Sequence, residues 1–381
     1  MMIVGAQVSR SVEALFGDAG QTQVERAISE LRAGRAVIVD GERGRQVVLA
    51  AVSVDHGNLE ALKQLTSGDL DLVLAPARLR YLGVEARSAL RKPTSAMSAD
   101  RVEDLVRGVG IAIAEDHSDA RNADALALDL VRFALLLPAV LTGPVAAGKS
   151  YAFAGAVIVS EGEIHAFRKE RTANLSLISR APVPLMLARD TEFVVFRGGE
   201  GMRDQMAIVV GKPDPAQPVL VRLHSACLTG DLFGSLRCDC GDQLRNAVHA
   251  MAEAGGGVLL YLDQEGRGNG IANKIRAYRM QADGMDTYEA DALLGFDLDG
   301  RGFDFAAEML RQLGFRRIRL MTNNPEKMAA MRGAGIEVVD TQRIYGRQSA
   351  ENVRYLTSKR DRAGHLVDPE SLPEYAANAA E

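Results

Sequence analysis

The hydrophobic positions of the first half of the chain alternate between helical and strand spacing. Residues 24–31 carry apolar side chains on one helical face, and Gly34 follows as a helix end. The next apolar runs, AVIVD at 36–40 and QVVLAAVSV at 46–54, are rich in β-branched residues and predict buried strands. Because such patterns keep alternating to about residue 160, we predict an α/β or α+β domain.

The second half repeats this alternation around glycine-rich connections. Strands are predicted at MAIVVG (206–211), PVLVRLHS (218–225), VLLYL (258–262) and RIRLMT (317–322), and helices at QLRNAVHAMAEA (243–254) and FAAEMLRQL (305–313). Pro325 suits the first position of a further helix, with Asn324 as its cap. We therefore predict an α/β (α+β) two-domain protein with mixed sheets and flanking helices in both halves.

The join between the two domains is predicted near residue 172. The segment HAFRKERTANLSLISRAPVPL (165–185) carries a cluster of charges followed by Pro182 and Pro184. We therefore expect domains at 1–171 and 172–381.

Composition narrows the class of partner and the compartment. The 381 residues are 47% hydrophobic and 25% charged, as in an ordinary globular protein, and the net charge of -5 argues against nucleic-acid or anionic-membrane binding. The N-terminus lacks the pattern of a signal peptide, and the most apolar stretch, FALLLPAVLTGPVAA, is too short to span a membrane and is broken by Pro138 and Pro144. With three cysteines and no obvious pairing, a cytoplasmic location is expected.

All three cysteines, Cys227, Cys238 and Cys240, lie in the window RLHSACLTGDLFGSLRCDCGDQ at 222–243, called the metal loop below. Cys238 and Cys240 flank one residue and are predicted to lie on a tight loop, so that both sulfurs can face one ion. Clustered thiolates suit zinc, and a catalytic zinc site has three protein ligands and a water in the fourth position. A structural site has four protein ligands, and His224 is the candidate for the fourth. The pattern leaves an open catalytic site and a closed structural site as alternatives.

Two loops are candidates for binding an anion. QEGRGNG (264–270) follows a predicted strand and precedes a helix, so its backbone N–H groups can face a phosphate, with Arg267, Lys274 and Arg276 nearby. The predicted helix start at Asn324 carries Lys327 in its first turn. A tight turn with solvated basic residues is the alternative for the first loop.

The segment GPVAAGKS (143–150) fits the pattern of a phosphate-binding P-loop. A P-loop needs a following helix, whereas YAFAGAVIVS at 151–160 is β-like, and Pro144 removes a backbone N–H from the phosphate cradle. We therefore expect a glycine-rich surface turn, with a P-loop NTPase as the alternative.

The metal-loop sequence RLHSACLTGDLFGSLRCDCGDQL, with YLDQEGRGNGIANKIRAY, DTYEADALLGF and LMTNNPEKM, resembles GTP cyclohydrolase II from near residue 185 to near residue 366. The resemblance implies one Zn²⁺ per chain on the three cysteines, and GTP as substrate with Mg²⁺ on its triphosphate. It also implies formate, pyrophosphate and a diaminopyrimidine ribosyl phosphate as products, a place in riboflavin biosynthesis, and a homodimer.

The resemblance also implies roles for individual residues. Tyr278 matches an active-site tyrosine, Asp299 a proposed proton acceptor, and Arg301 a proposed nucleophile towards the α-phosphate. The positions that match nucleotide contacts are Arg222, His224, Ser225, Gln243, Glu265, Gly266, Arg267, Thr287, Thr322 and Lys327.

Five positions depart from the family pattern. They are Ala226, Asp263, Met285, Gly300 and Gly302, all at the rim of the expected site or behind it. They leave open a diverged cyclohydrolase with another substrate or product. A nucleotide-sensing protein with a structural zinc is the alternative of a different class.

The first half resembles 3,4-dihydroxy-2-butanone 4-phosphate synthase in ERAISELRAGRAVIVD and LALDLVRFALLLPAV. That family holds Mg²⁺ with a dense acidic loop and a histidine. Here the loop is GERGRQ, with Glu42 as its one carboxylate after Asp40, and RNADA at 121–125 contains no histidine. Because hard cations need oxygen ligands, we expect a degenerate domain without that activity.

Overall fold

The computed structural model describes residues 17–114, 116–149, 155–170, 175–198, 204–297 and 301–347, and the shorter stretches 349, 351–353, 356–357, 360–361 and 366. The chain divides into two compact units, Met1–Lys169 and Glu170–Glu381. None of the helices in these described ranges is both long enough and apolar enough to cross a membrane.

The first unit is a seven-stranded mixed sheet with helices. Its strands are β1 (Val37–Gly41), β2 (Gly44–Ala50), β3 (Asp71–Leu74), β4 (Leu90–Pro93), β5 (Ser118–Asp119), β6 (Ala139–Pro144) and β7 (Ile158–Ser160), in the order β5-β4-β3-β6-β2-β1-β7. Its helices are α1 (Ala19–Arg32), α2 (His56–Leu65), α3 (Pro76–Tyr81), α4 (Ala99–Arg107), α5 (Asn122–Phe133) and α6 (Glu161–Glu170). β1 pairs antiparallel with β2 and parallel with β7.

The predicted first helix and first strand are confirmed, but the second strand is shorter than predicted. The β2 strand ends at Ala50, and residues 51–53 form a 3₁₀ turn. The chain turns there because Asp55 caps α2, accepting a hydrogen bond from the Asn58 amide at 2.7 Å. The Asn58 side chain in turn donates to the Ser53 carbonyl at 2.8 Å, so the β-branched run beyond Ala50 leads into a helix.

The described residues of the segment GPVAAGKS (143–150) do not form a phosphate-binding P-loop. Gly143 and Pro144 belong to β6 and pair with β2, so the turn begins only after them. The next described element is the strand β7, not a helix. Residues 150–154 lie outside the described part of the chain, and Lys149 donates to the Gln64 carbonyl.

The second unit is also a seven-stranded mixed sheet with helices, which confirms the predicted fold class. Its strands are β8 (Ser176–Pro182), β9 (Thr191–Arg197), β10 (Gln205–Gly211), β11 (Val219–Ser225), β12 (Gly256–Leu262), β13 (Arg317–Met321) and β14 (Glu337–Gln342), in the order β14-β13-β11-β12-β10-β9-β8. Its helices are α7 (Leu228–Asp231), α8 (Cys240–Glu253), α9 (Ile271–Ala282), α10 (Thr287–Leu293), α11 (Asp304–Gln312) and α12 (Pro325–Gly333).

The side chains of strand β11 alternate between the hydrophobic core on one side of the sheet and candidate site residues on the other. Val219, Val221 and Leu223 face the core formed with α11 and α12. Because side chains alternate along a strand, Arg222 and His224 face the other side, where Leu220 packs against α8. Burying each large aliphatic side chain contributes about 1.5–3 kcal/mol, so this alternation fixes which side chains the strand presents beside α8.

Candidate active site

The predicted site residues meet in one pocket of about 310 Å³ in the second unit. Strand β11 runs parallel with both β12 and β13, so the carboxyl ends of the three strands lie at one edge of the sheet. The pocket is lined by residues at and just after these ends, as is usual for ligand sites of open α/β sheets. Every predicted site residue that the structure describes lines it, and Asp299 lies outside the described residues.

The three cysteines converge in this pocket. Their sulfur atoms lie within 4.8 Å of one another, and the Sγ atoms of Cys227 and Cys238 are 3.6 Å apart. Cys227 precedes α7, while Cys240 is the first residue of α8 rather than part of a loop as the sequence suggested. Neither ring nitrogen of His224 belongs to this group of ligand atoms, so among the described residues the cluster is built of thiols alone.

The space around the sulfurs fits a metal ion. A Cβ on Gly230 would lie 2.7 Å from the Cys238 sulfur and 3.0 Å from the Cys227 sulfur, so only glycine fits against this cradle. A catalytic zinc site has three protein ligands, and thiolate sulfur is a preferred donor to zinc. The residues present therefore fit zinc.

The three thiols differ in acidity because they lie so close together. Hydrogen bonds from Cys238 and Cys240, aided by the charge of Lys274, hold the pKa of the Cys227 thiol well below its usual range. The hydrogen bond with Cys227, together with burial, raises the pKa of Cys238 to about 12, and contacts with Cys227 and Cys238 raise that of Cys240 well above its usual value. Because the thiolate is the metal-binding form, a divalent cation held here would favour deprotonation of all three thiols.

Lys274 connects the cysteines to the glycine-rich loop. Its Nζ lies 3.1 Å from the Cys227 sulfur and 2.7 Å from Glu265 Oε1. Burial alone would lower the pKa of Lys274, but the charges of Cys227 and Tyr278 and the hydrogen bond to Glu265 raise it above its usual value. Glu265 also accepts from the Leu228 amide at 2.6 Å, so this ion pair ties both loops together.

The loop itself is shaped by two left-handed residues. Gly266 has φ +59° and Arg267 has φ +60°, a conformation that is uncommon for a residue with a side chain. The Arg267 guanidinium is anchored by Asp291 at 2.6 Å and lies 4.5 Å from the centre of the Tyr288 ring. These contacts in α10 hold Arg267 at the pocket wall and compensate for its backbone strain.

His224 is held by a carboxylate rather than by the thiols. Its Nε2 lies 3.0 Å from Asp231 Oδ1, and its ring stacks on Tyr261 with centroids 5.6 Å apart. Burial lowers the pKa of His224, although the hydrogen bond that the ring donates to Asp231 opposes this. Its Nδ1 atom is buried and has no hydrogen-bond partner.

Arg222 lies at the floor of the pocket. It donates to the Met321 carbonyl at 3.0 Å and to Gln243 Oε1 at 2.6 Å, which places both predicted nucleotide contacts side by side. Burial lowers the pKa of Arg222 to about 10, so the guanidinium is charged at neutral pH. Its Nε is a buried donor without a partner.

Strand β13 and α12 supply the predicted anion site at their junction. Asn324 caps α12 by accepting from the Glu326 amide at 2.8 Å, and its own amide donates to Thr322 Oγ1 at 3.0 Å. Lys327 is buried and donates to the Leu223 carbonyl at 2.8 Å. The Asn324 side-chain nitrogen is a second buried donor without a partner.

The remaining predicted residues lie around the same pocket. Ser225 donates to Gln264 at 3.0 Å and accepts from Arg301 at 3.2 Å. The Tyr278 hydroxyl is 3.2 Å from Thr229 Oγ1, and burial raises its pKa. Thr287 is the first residue of α10, next to the Asp286 cap.

Sequence reasoning missed or underused several residues of the pocket. They are Arg237, Gln264, Asn269, Lys274, Tyr288, Asp291, Asn323 and Asn324. Gln264 is fully buried and donates to the Gly302 carbonyl at 2.6 Å, and Arg237 lies over the Tyr278 ring. The sequence does indicate Lys274 and Asn324, because Lys274 is a basic residue beside one predicted anion loop and Asn324 is the capping residue at the other.

The pocket is cationic apart from its thiols. Its basic lining residues are Arg222, Arg237, Arg267, Lys274, Arg301 and Lys327, whereas its acidic ones are Glu265, Asp291 and Glu326. Fold and pocket thus define an α/β protein whose sheet edge combines a cysteine cluster with a cationic wall. Such a pocket is typical of an enzyme that acts on an anionic substrate.

Comparison with known proteins identifies the enzyme family. The family model described as GTP cyclohydrolase II matches residues 177–343. A GTP cyclohydrolase-2 from Xylella fastidiosa (strain Temecula1 / ATCC 700964) is 43% identical over 359 residues, which cover 94% of this chain and 90% of the relative. A GTP cyclohydrolase-2 from Azospirillum brasilense is 39% identical and covers 92% and 95%. The chain belongs to the GTP cyclohydrolase II family.

Other relatives match a smaller part of the chain. Riboflavin biosynthesis protein RibBA from Chlorobium phaeovibrioides is 40% identical over 213 residues, 56% of this chain and 52% of the relative. Among solved structures, RibBX, a two-domain 3,4-dihydroxy-2-butanone 4-phosphate synthase from A. baumannii, covers 84% of this chain and 98% of that one, with 17% identity and a TM-score of 0.31. Similarity this weak does not bear on function.

Proposed function

We propose that the pocket of the second unit is the zinc-dependent active site of a GTP cyclohydrolase II. It converts GTP into formate, pyrophosphate and 2,5-diamino-6-hydroxy-4-(5-phosphoribosylamino)pyrimidine for riboflavin biosynthesis. The observation that carries the proposal is that three convergent thiols and a cationic wall line one pocket in a member of this family.

In this proposal Cys227, Cys238 and Cys240 would hold Zn²⁺, and His224, which is engaged by Asp231, would not be a ligand. Zinc in such a site lowers the pKa of a bound water towards neutrality and so supplies a nucleophile for opening the imidazole ring. Gly230 has no side chain and so leaves the space around the sulfurs open. The Tyr278 hydroxyl lies 3.2 Å from Oγ1 of the neighbouring Thr229. We propose that Tyr278 orients the purine.

The triphosphate binds the cationic wall in this proposal. Arg222 and Asn324 each offer a buried donor without a partner, and leaving such donors unsatisfied costs about 1–3 kcal/mol each. A bound anion removes that cost, and Lys327 with the N-terminus of α12 favours negative charge there. Mg²⁺ accompanies the phosphates.

Arg301 acts at the α-phosphate in this proposal, with Asp299 as proton acceptor. The guanidinium contacts Ser225 at the end of β11 and lies 5.4 Å from the centre of the Phe303 ring. Lys327 approaches the same ring from 5.3 Å, so the two cations share one part of the pocket. Arg267, Thr287, Thr322 and Gln243 complete the nucleotide contacts.

The test is the product list from full-length protein incubated with GTP, Zn²⁺ and Mg²⁺. We expect stoichiometric formate and pyrophosphate together with the diaminopyrimidine product. A ring-opened nucleotide that keeps its formyl group or its triphosphate would instead identify a diverged enzyme. Binding of GTP without any turnover, with zinc in a closed site, would identify a nucleotide sensor.

We further propose that the protein is a homodimer whose interface includes the metal loop and α9. Large apolar side chains are exposed on both segments, namely Leu228, Leu232, Phe233, Leu236, Ile271 and Ile275. The two segments contact each other through Arg237 and Tyr278, so these side chains belong to one region. Exposed apolar area of this kind marks an interaction site. Sedimentation of wild type against Phe233→Ser tests the proposal, with a monomeric wild type as the contradicting outcome.

The first unit is proposed to be a catalytically inactive relative of 3,4-dihydroxy-2-butanone 4-phosphate synthase. Support comes from the sequence, because the loop GERGRQ has Glu42 as its one carboxylate after Asp40 and RNADA at 121–125 contains no histidine. The expected result is no butanone phosphate from ribulose 5-phosphate with Mg²⁺ present. Product above background would contradict the proposal.

A further inference from the structure

The buried Asp231 carboxylate accepts hydrogen bonds from three different residues. It accepts from His224 Nε2 at 3.0 Å, from the Cys227 amide at 2.9 Å and from the Tyr261 hydroxyl at 3.1 Å. The side chains of His224 and Asp231 are 3% and 6% exposed, so water does not compete for these bonds. His224 lines the pocket, whereas Asp231 does not.

The hydrogen bond between His224 and Asp231 determines which ring nitrogen of His224 carries the proton. A carboxylate only accepts hydrogen bonds, so Nε2 must be the protonated nitrogen. Burial lowers the pKa of the ring and so favours its neutral form. In that tautomer Nδ1 holds a lone pair and no proton.

This lone pair is a rare feature of the pocket. Nδ1 is buried without a partner, while the ring lines the pocket and Tyr261 stacks against its face. Among the described side chains that line the pocket, the other buried atoms without a partner, Arg222 Nε and the Asn324 amide nitrogen, are donors. A buried acceptor among donors selects a ligand that brings a donor of its own.

We propose that Asp231 is a positioning residue that fixes His224 with Nδ1 as the acceptor for an N–H or O–H group of the bound nucleotide. The inference rests on the proposed function, since it assumes a nucleotide in this pocket. It assigns the recognition of one donor of the nucleoside part to His224, and the orientation of that histidine to Asp231. The phosphates, which carry acceptors only, are recognised elsewhere in the pocket.

The first experiment reads the tautomer directly. Full-length zinc-loaded protein labelled with ¹⁵N-histidine has six histidines, and His224→Phe identifies the signals of His224. We expect an unprotonated Nδ1 and a protonated Nε2 in the wild type. Asp231→Asn can donate from its amide to Nε2, and we expect it to populate the tautomer with the proton on Nδ1.

The second experiment measures the consequence for GTP. We expect Asp231→Asn to lose about tenfold to hundredfold in kcat/KM, as is typical when a buried hydrogen bond is left unsatisfied. Zinc content and the affinity for pyrophosphate should stay at the wild-type level. His224→Asn places an amide oxygen close to the Nδ1 position, so it should retain several-fold more kcat/KM than His224→Phe.

Tyr261→Phe is the matched control, because it removes a different hydrogen bond to the same carboxylate and leaves the tautomer unchanged. We expect its kcat/KM to remain within about threefold of wild type. The proposal is overturned if Asp231→Asn keeps Nδ1 unprotonated, if it keeps full kcat/KM, if it loses zinc, or if Tyr261→Phe is equally impaired. Failure of the wild type to turn over GTP would instead overturn the proposed function, and the tautomer measurement would still stand.

Discussion

The two units of the chain are both built on seven-stranded mixed sheets, but they treat buried polar side chains differently. In the first unit, buried Arg91 donates to Asp71 at 2.8 Å and to Asp124 at 2.9 Å. Arg78, also buried, donates to main-chain carbonyls at the end of α4, among them that of Leu105. These two cations are matched by acceptors within the protein, and among the described residues of this unit the buried side-chain atom without a partner is an oxygen of Gln46.

In the second unit, Arg222, His224 and Asn324 each keep one buried atom without a partner, and all three line the same pocket. The difference is informative because unsatisfied buried groups are costly and are kept where a ligand completes them. A buried charge by itself therefore does not indicate a ligand-binding site. Several buried polar groups without partners around one pocket do indicate such a site.

Removing one thiol should have the largest effect. Cys238→Ser should abolish both zinc binding and turnover, because a serine hydroxyl does not replace a thiolate ligand. Metal analysis of the folded variant and a formate assay check this. Retention of about one zinc per chain would show that Cys238 is not a ligand.

Breaking the matched charges of the first unit should affect folding instead. Arg91→Met leaves two carboxylates, of which Asp124 is 1% exposed, without their cation and should cost about 3–5 kcal/mol of unfolding free energy. Denaturant unfolding measures this, with zinc content expected to stay at wild type. Arg107→Met is the control in the same unit, since its pair with Glu103 is exposed and should contribute less than about 1 kcal/mol.

Substitutions of Arg301 distinguish a role as a positive charge from a role as a covalent nucleophile. Arg301→Lys keeps the positive charge but changes the nucleophile, so we expect kcat to fall at least a hundredfold, roughly 3 kcal/mol of barrier, with a much smaller change in KM. Pyrophosphate release in single-turnover and steady-state assays checks this. Near-normal release by Arg301→Lys would mean that the residue supplies charge alone, and near-normal release by Arg301→Ala would remove it from the mechanism.

The smallest effect is expected at the contact between Lys274 and the metal loop. Lys274→Met should weaken zinc binding about tenfold to hundredfold, because outer partners of metal ligands typically contribute that much. Competition with a chelator measures the affinity without reference to turnover. Arg276→Met removes the same charge from α9 at a residue that does not line the pocket, and equal weakening there would point to general electrostatics.

Much of the architecture follows from local patterns. The apolar spacing at residues 24–31 and the cap at Asn324 behave as predicted, because both depend on neighbours within one turn. Strand β2 is shorter than predicted, because the capping of α2 by Asp55 overrides β propensity after Ala50. Cys240 begins α8 instead of lying on a loop, and the helix starts there without a side-chain cap hydrogen bond from Asp239, so no local capping pattern marks its first residue.

What the sequence alone determines is the alternation of elements, the three cysteines within one window, and the family motifs around them. The tertiary structure alone decides that His224 pairs with Asp231 instead of the thiols, that Arg222 reaches the carbonyl of Met321, and that Lys274 meets Cys227. These partners become neighbours through the parallel pairing of β11 with β12 and β13 and the loops that follow those strands. Local spacing does not encode that pairing, because it arises from packing between segments far apart in the chain.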